Sequence, residues 1–174
     1  MDIEFNAFEV FEIAEKIERN GARFYRRAAD LFDAETAKMF LELADWETEH
    51  IQVFANMRKQ LFEQSRELRT FKPEDRLLPD AQAMAGLAVF GIRADPSDEL
   101  TGKESKADVL KKAIEKEKDS IVYYTGLKSF VPARAGQEKI ADIIREEMHH
   151  INILSQSLQQ REEVQSHSTT SFST

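Results

Sequence analysis

The run Ile140-Ala141-Asp142-Ile143-Ile144-Arg145-Glu146-Glu147-Met148-His149-His150-Ile151-Asn152-Ile153-Leu154 repeats its apolar residues at helical period, and one glutamate falls inside the apolar stripe. Neighbours of Glu147 at three, four and seven residues include Ile140, Ile143, Ile144, Ile151 and Leu154, whereas those of Glu146 include Lys139, Asp142, His150 and Ile153. Glu147 therefore faces a core, and Glu146 faces outward. His150 follows Glu147 by three residues, about 300° around a helix, so the carboxylate and the imidazole stand one above the other and can grip one ion. A second such pair, Glu47 and His50, lies 100 residues earlier, among Phe40, Leu43, Ala44, Ile51 and Phe54. Two inward Glu-x-x-His pairs on two amphipathic helices predict a two-metal site inside a four-helix bundle.

A site of this kind draws one further carboxylate from each of the other two helices, and the facing test selects them. Glu18 shares its face with Phe11, Ala14, Gly21, Ala22 and Tyr25, while Glu12 and Glu15 have charged neighbours. Glu117 is surrounded by Leu110, Ala113, Ile114, Ile121 and Tyr124, and Glu115 by Asp108, Lys111, Lys112 and Lys118. Glu18 and Glu117 are each followed by tyrosine seven residues on, and they precede the Glu-x-x-His glutamates by 29 and 30 residues. The two halves thus look like a tandem repeat of one helical hairpin. Its pseudo-two-fold symmetry would gather Glu18, Glu47, His50, Glu117, Glu147 and His150 around one point.

The rest of the chain fits that plan. Asn6 and Glu9 have capping-box spacing for helix 1, roughly residues 6–31; Asp33 can cap helix 2, which ends before Pro73. Pro73, Pro79, Gly86, Gly91, Pro96 and Gly102 break the pattern over residues 67–104, a crossover in which 80–90 is expected as a short helix. Ser105 and Asp108 open helix 3, which reaches about residue 129; Pro132 suits the first turn of helix 4, which continues to about 160. Short loop, long crossover, short loop is the ferritin-like arrangement: an all-α bundle over 1–164, with residues 165–174 as a disordered Ser/Thr-rich tail.

Composition excludes several alternatives. The chain of 174 residues carries a net charge of −8 and no basic stripe, so no nucleic-acid partner is expected. It contains no cysteine, which removes disulfides, thiolate zinc sites and iron–sulfur centres. The acidic start, Met1-Asp2-Ile3-Glu4-Phe5, is unlike a signal peptide, and Ala81 to Ile92 is too short to span a bilayer. A cytoplasmic protein with no membrane contact is expected. Phe5, Phe8, Val10 and Phe11 nearly encircle the start of helix 1, and Met84, Leu87, Val89 and Phe90 add apolar surface in the crossover. These patches predict a homodimer.

Over residues 6–160 the sequence resembles the rubrerythrin-like branch of the ferritin-like di-iron carboxylate proteins, through Glu18, the run Glu47-Thr48-Glu49-His50, Glu117 and the run Glu146-Glu147-Met148-His149-His150. The resemblance implies two iron ions per chain, with Glu18 and Glu117 as terminal ligands, Glu47 and Glu147 bridging, and His50 and His150 each capping one ion. It departs from rubrerythrin in lacking a Cys-ligated rubredoxin module, so an external electron donor is implied. Ser120 also stands where rubrerythrins carry a second glutamate three residues after the helix 3 ligand.

Four glutamates and two ferrous ions balance in charge, whereas without metal the buried carboxylates would raise one another's pKa values. The donor set suits iron, manganese or zinc. Tyr25 and Tyr124, two turns past the terminal glutamates, are candidates for hydrogen bonds to the ligands, though a core aromatic with one polar end has the same pattern. Glu49 and Glu146 read as surface or outlying residues, and Trp46 as packing. The resulting expectation is an oxidoreductase that oxidises Fe(II) or reduces peroxide or O2, the alternative being an iron storage or delivery protein without turnover.

Overall fold

In a computed structural model, which describes residues 7–67, 96–131 and 136–170, four long helices and one short turn of 3-10 helix account for nearly all of the backbone. They are α1 (Ala7–Ala29), α2 (Ala34–Glu67), the 3-10 turn Pro96–Glu99, α3 (Lys106–Phe130) and α4 (Gln137–Thr170). Asp33 starts α2 as expected: its Oδ1 accepts from the backbone N–H groups of Glu35 (3.1 Å) and Thr36 (3.0 Å). Ser105 and Asp108 form a reciprocal capping box at the start of α3. Asn6 and the expected helix at 80–90 lie outside the described residues, and no described helix is long and apolar enough to cross a membrane.

Helix α4 differs from its sequence-based bounds at both ends. It begins at Gln137, and Pro132 lies outside the described residues. Gly136 just before it has φ 105°, a left-handed conformation that glycine adopts freely and that lies outside the helical region. At the other end it runs to Thr170, ten residues past the expected stop, so residues 165–170 of the expected tail continue the helix. The segment Leu158 to Val164 holds no glycine or proline to end it, and glutamine, arginine and glutamate sustain helix well.

The core shows how the helices run. One cluster joins Val10 and Phe11 of α1 to Phe54 and Met57 of α2, Tyr123, Tyr124 and Leu127 of α3, and Ile140 and Ile143 of α4. The other joins Phe24, Tyr25 and Ala28 to Phe40 and Leu43, Val109 and Leu110, and Leu154. Sequence order reverses within each hairpin, so α1–α2 and α3–α4 are antiparallel, while α2 and α3 run parallel. A short turn cannot join parallel neighbours, which is why the chain needs its long crossover. The two clusters leave one layer between them, at residues 18, 47–50, 117 and 147–150, and there the buried side chains are acidic and imidazole rather than apolar.

Candidate metal centre

All six residues singled out by spacing and facing meet in that layer. Glu18, Glu47, His50, Glu117, Glu147 and His150 are each buried, at 4 % exposure or less. They form two overlapping donor sets, Glu18/Glu47/His50/Glu147 and Glu47/Glu117/Glu147/His150, whose ligating atoms lie within 4.8 Å of one another in each set. Glu47 and Glu147 belong to both sets, the position of bridging groups, while Glu18 with His50 and Glu117 with His150 occupy the two ends. His50 Nδ1 is 3.4 Å from Glu18 Oε2 and 3.2 Å from Glu147 Oε1. His150 Nδ1 lies 3.0 Å from Glu147 Oε2, 3.6 Å from Glu117 Oε1 and 3.7 Å from Glu47 Oε1. The two rings stack with centroids 5.8 Å apart.

The hydrogen-bond pattern tests whether metal fits. Both oxygens of Glu18, both of Glu147 and Nδ1 of each histidine are buried without a hydrogen-bond partner. Leaving so many buried polar atoms unpaired is costly unless something else satisfies them. All the orphaned atoms on these four residues point into one space, and carboxylate oxygens with imidazole nitrogens suit iron, manganese or zinc. Glu15, also buried, has a different fate. Its carboxylate accepts from Arg58 Nε at 2.7 Å and Nη2 at 3.3 Å, so it is already neutralised and stands outside the cluster.

Without metal the cluster balances itself with protons. Burial raises Glu47 well above the usual carboxylate range, and the charges of Glu18, Glu147 and Glu117 add to the effect. Burial, together with the Glu147 charge, pushes Glu117 up to about 8. Burial would raise Glu147 as well, but the close approach of the His150 and His50 imidazoles, at 3.0 and 3.2 Å, overrides it and holds this carboxyl down at about 2. Burial alone would lower the histidines. Contacts to Glu147 and Glu18 push His50 up to about 12, and contacts to Glu117 and Glu147 push His150 up to about 9. The expectation that like charges raise one another is met at Glu47 and Glu117 and reversed at Glu147, where two imidazolium rings converge.

Four further residues shape the site. The Tyr25 hydroxyl donates to Glu117 Oε1, a glutamate of the opposite half rather than its own helix neighbour Glu18. Tyr124 Oη is buried without a partner, close enough to Glu18 and Glu147 for their charges to bear on it. Glu146, outward-facing as read, nonetheless bends its carboxylate to His50, where Oε2 stands 2.7 Å from Nε2. A carboxylate oxygen can only accept there, so Nε2 carries the proton and Nδ1 is directed inward. Gly21 gives Glu47 its room: a Cβ at that position would come within 2.8 Å of Glu47 Oε2. A glycine inside α1, on the face of Glu18, costs about 1 kcal/mol of helix propensity, which was the available sequence signal.

Comparison with known proteins agrees with this geometry. Residues 9–82, which include Glu18, Glu47 and His50, match the family model described as Rubrerythrin. A solved structure from Thermotoga maritima, described as a ferritin-like diiron-carboxylate protein, superposes with a TM-score of 0.68 at 24% sequence identity, covering 91% of this chain and 97% of that one. No curated protein matches the sequence. The superposition shows that the fold is the ferritin-like four-helix bundle.

Proposed function

We propose that the protein is a di-iron carboxylate oxidoreductase, holding two iron ions in the buried layer and using them to oxidise Fe(II) or to reduce peroxide or O2. The observation that carries this reading is the pair of donor sets sharing Glu47 and Glu147, with six orphaned ligand atoms on Glu18, His50, Glu147 and His150. Two ions bound there would supply the two-electron change that such oxidants demand.

The chain's own residues set the conditions. Glu18 with His50 and Glu117 with His150 would hold the two ends, and Glu47 with Glu147 would span them, so four carboxylates match the charge of two ferrous ions. Burial between two aromatic layers excludes water: Phe54 and Tyr124, with ring centroids 5.0 Å apart, close one side, and Tyr25 and Phe40, 6.0 Å apart, close the other. Burial and the neighbouring carboxylates hold both tyrosines far above their usual range, so each keeps its O–H at neutral pH. Tyr25 Oη thus fixes the Glu117 carboxylate as a donor, and Tyr124 Oη holds a proton beside Glu18. The chain has no cysteine, so reducing electrons come from a separate donor.

Stopped-flow mixing tests the proposal. Ferrous-loaded protein exposed to peroxide or O2 should oxidise quickly and, with reductant supplied, repeatedly. A single stoichiometric oxidation would make the protein an iron store, and no oxidation would remove the redox reading.

A further inference from the structure

The two halves of the site are related by pseudo-symmetry, yet the residue preceding each bridging glutamate differs: Trp46 before Glu47 and Glu146 before Glu147. Each reaches across to the histidine of the other half. Glu146 takes the Nε2–H of His50 at 2.7 Å, whereas the Trp46 ring stacks on His150 with centroids 5.2 Å apart and planes 10° from parallel. A parallel indole cannot accept an in-plane N–H, so Trp46 packs against His150 without the bond that Glu146 gives His50.

We infer that the two metal positions are unequal, the Glu18/His50 position filling first and more tightly and the Glu117/His150 position being the exchangeable one, with Glu146 as the positioning residue that sets the difference. The inference rests on the two-metal reading above. Its physical basis is that a carboxylate on the outer N–H of a metal-binding imidazole fixes the ring and strengthens its donor nitrogen, an effect worth about 10–100-fold in affinity. The contrast involves no metal ligand differing in type, so both ends keep the same donor atoms and differ only in what supports the two imidazoles.

Zinc provides a diamagnetic probe, and the side-chain nitrogens of His50 and His150 report each half separately by NMR of the full-length 15N-labelled protein. A tenfold preference, the lower limit from Glu146 alone, would put about three quarters of the first equivalent of Zn(II) on the His50 half. The His50 Nδ1 resonance should therefore move mostly in the first equivalent and that of His150 mostly in the second. Glu146→Gln keeps the shape but replaces the carboxylate by a neutral acceptor, and it should bring the two responses together. If two Zn(II) ions bind but both rings respond together in the unaltered protein, or His150 responds first, the inference is overturned while the two-metal reading stands. The same follows if Glu146→Gln leaves the order and spacing unchanged. If dialysis shows fewer than two zinc ions bound per chain, the two-metal reading falls and the inference with it.

Discussion

Loading the site with metal should expel about three protons per chain at pH 7. In the metal-free cluster three groups hold a proton at that pH: His50 at about 12, His150 at about 9 and Glu117 at about 8. Glu147, held at about 2, contributes none. Two divalent ions require neutral imidazoles and ionised carboxylates, so each of the three protons must leave. The perturbation is the addition of Zn(II) to metal-free protein, and the assay is calorimetry in two buffers of different ionisation enthalpy, whose difference in heat gives the number of protons released. At pH 10, where His150 and Glu117 have already lost theirs, the number should fall by about two. Release of fewer than two protons at pH 7, or a number unchanged between pH 7 and 10, would refute the protonated cluster described above.

Other expectations concern stability, space and assembly. Metal-free protein should lose stability as pH rises from about 5 to 9: Glu117 is raised, so its contribution is complete below its unfolded value of 4.5 and lost through about 8, and His150 loses its own between 6.5 and about 9. Thermal melts should show this as a loss on the order of a few kcal/mol, largely absent from metal-loaded protein; a metal-free melting temperature that rises over that range would contradict it. Gly21→Ala should leave the metal-free fold as stable or up to about 1 kcal/mol more stable, since alanine favours helix, yet weaken metal binding because its Cβ displaces Glu47; undiminished metal affinity would show that Glu47 needs no such room. Glu147→Ala should abolish the rise in melting temperature on metal addition, whereas Glu146→Ala should reduce affinity by about tenfold through His50, more than an outward-facing glutamate alone would suggest. The homodimer was expected from Phe5, Phe8, Val10, Phe11 and the crossover, but Val10 and Phe11 are buried in the bundle's own core and offer no surface; a dimer built on the rest should appear in light scattering at twice the chain mass of 20.0 kDa, and a monomer mass would exclude it.

What the sequence made legible was whatever helical period alone determines. Glu147 was distinguished from Glu146, Glu117 from Glu115 and Glu18 from Glu15 because three, four and seven residues on one helix share a face, and the six residues chosen that way meet in one buried layer. The caps at Asp33 and Ser105 were equally local. Contacts between helices were not legible, because they depend on stagger and rotation that no single helix encodes. Tyr25 reaches Glu117 rather than Glu18, Glu146 reaches His50, and Trp46 lies on His150, each crossing from one half to the other. The start of α4 at Gln137 follows the left-handed Gly136, whose backbone conformation the sequence pattern does not reveal.

The central claim, that this bundle exists to hold two metal ions between four glutamates and two histidines, is tested most directly by crystals of iron-loaded protein measured at the iron absorption edge. Two anomalous peaks per chain should lie in the buried layer, one within bonding distance of Glu18 and His50, the other of Glu117 and His150, with Glu47 and Glu147 reaching both. One peak, or peaks on other residues, would contradict the account.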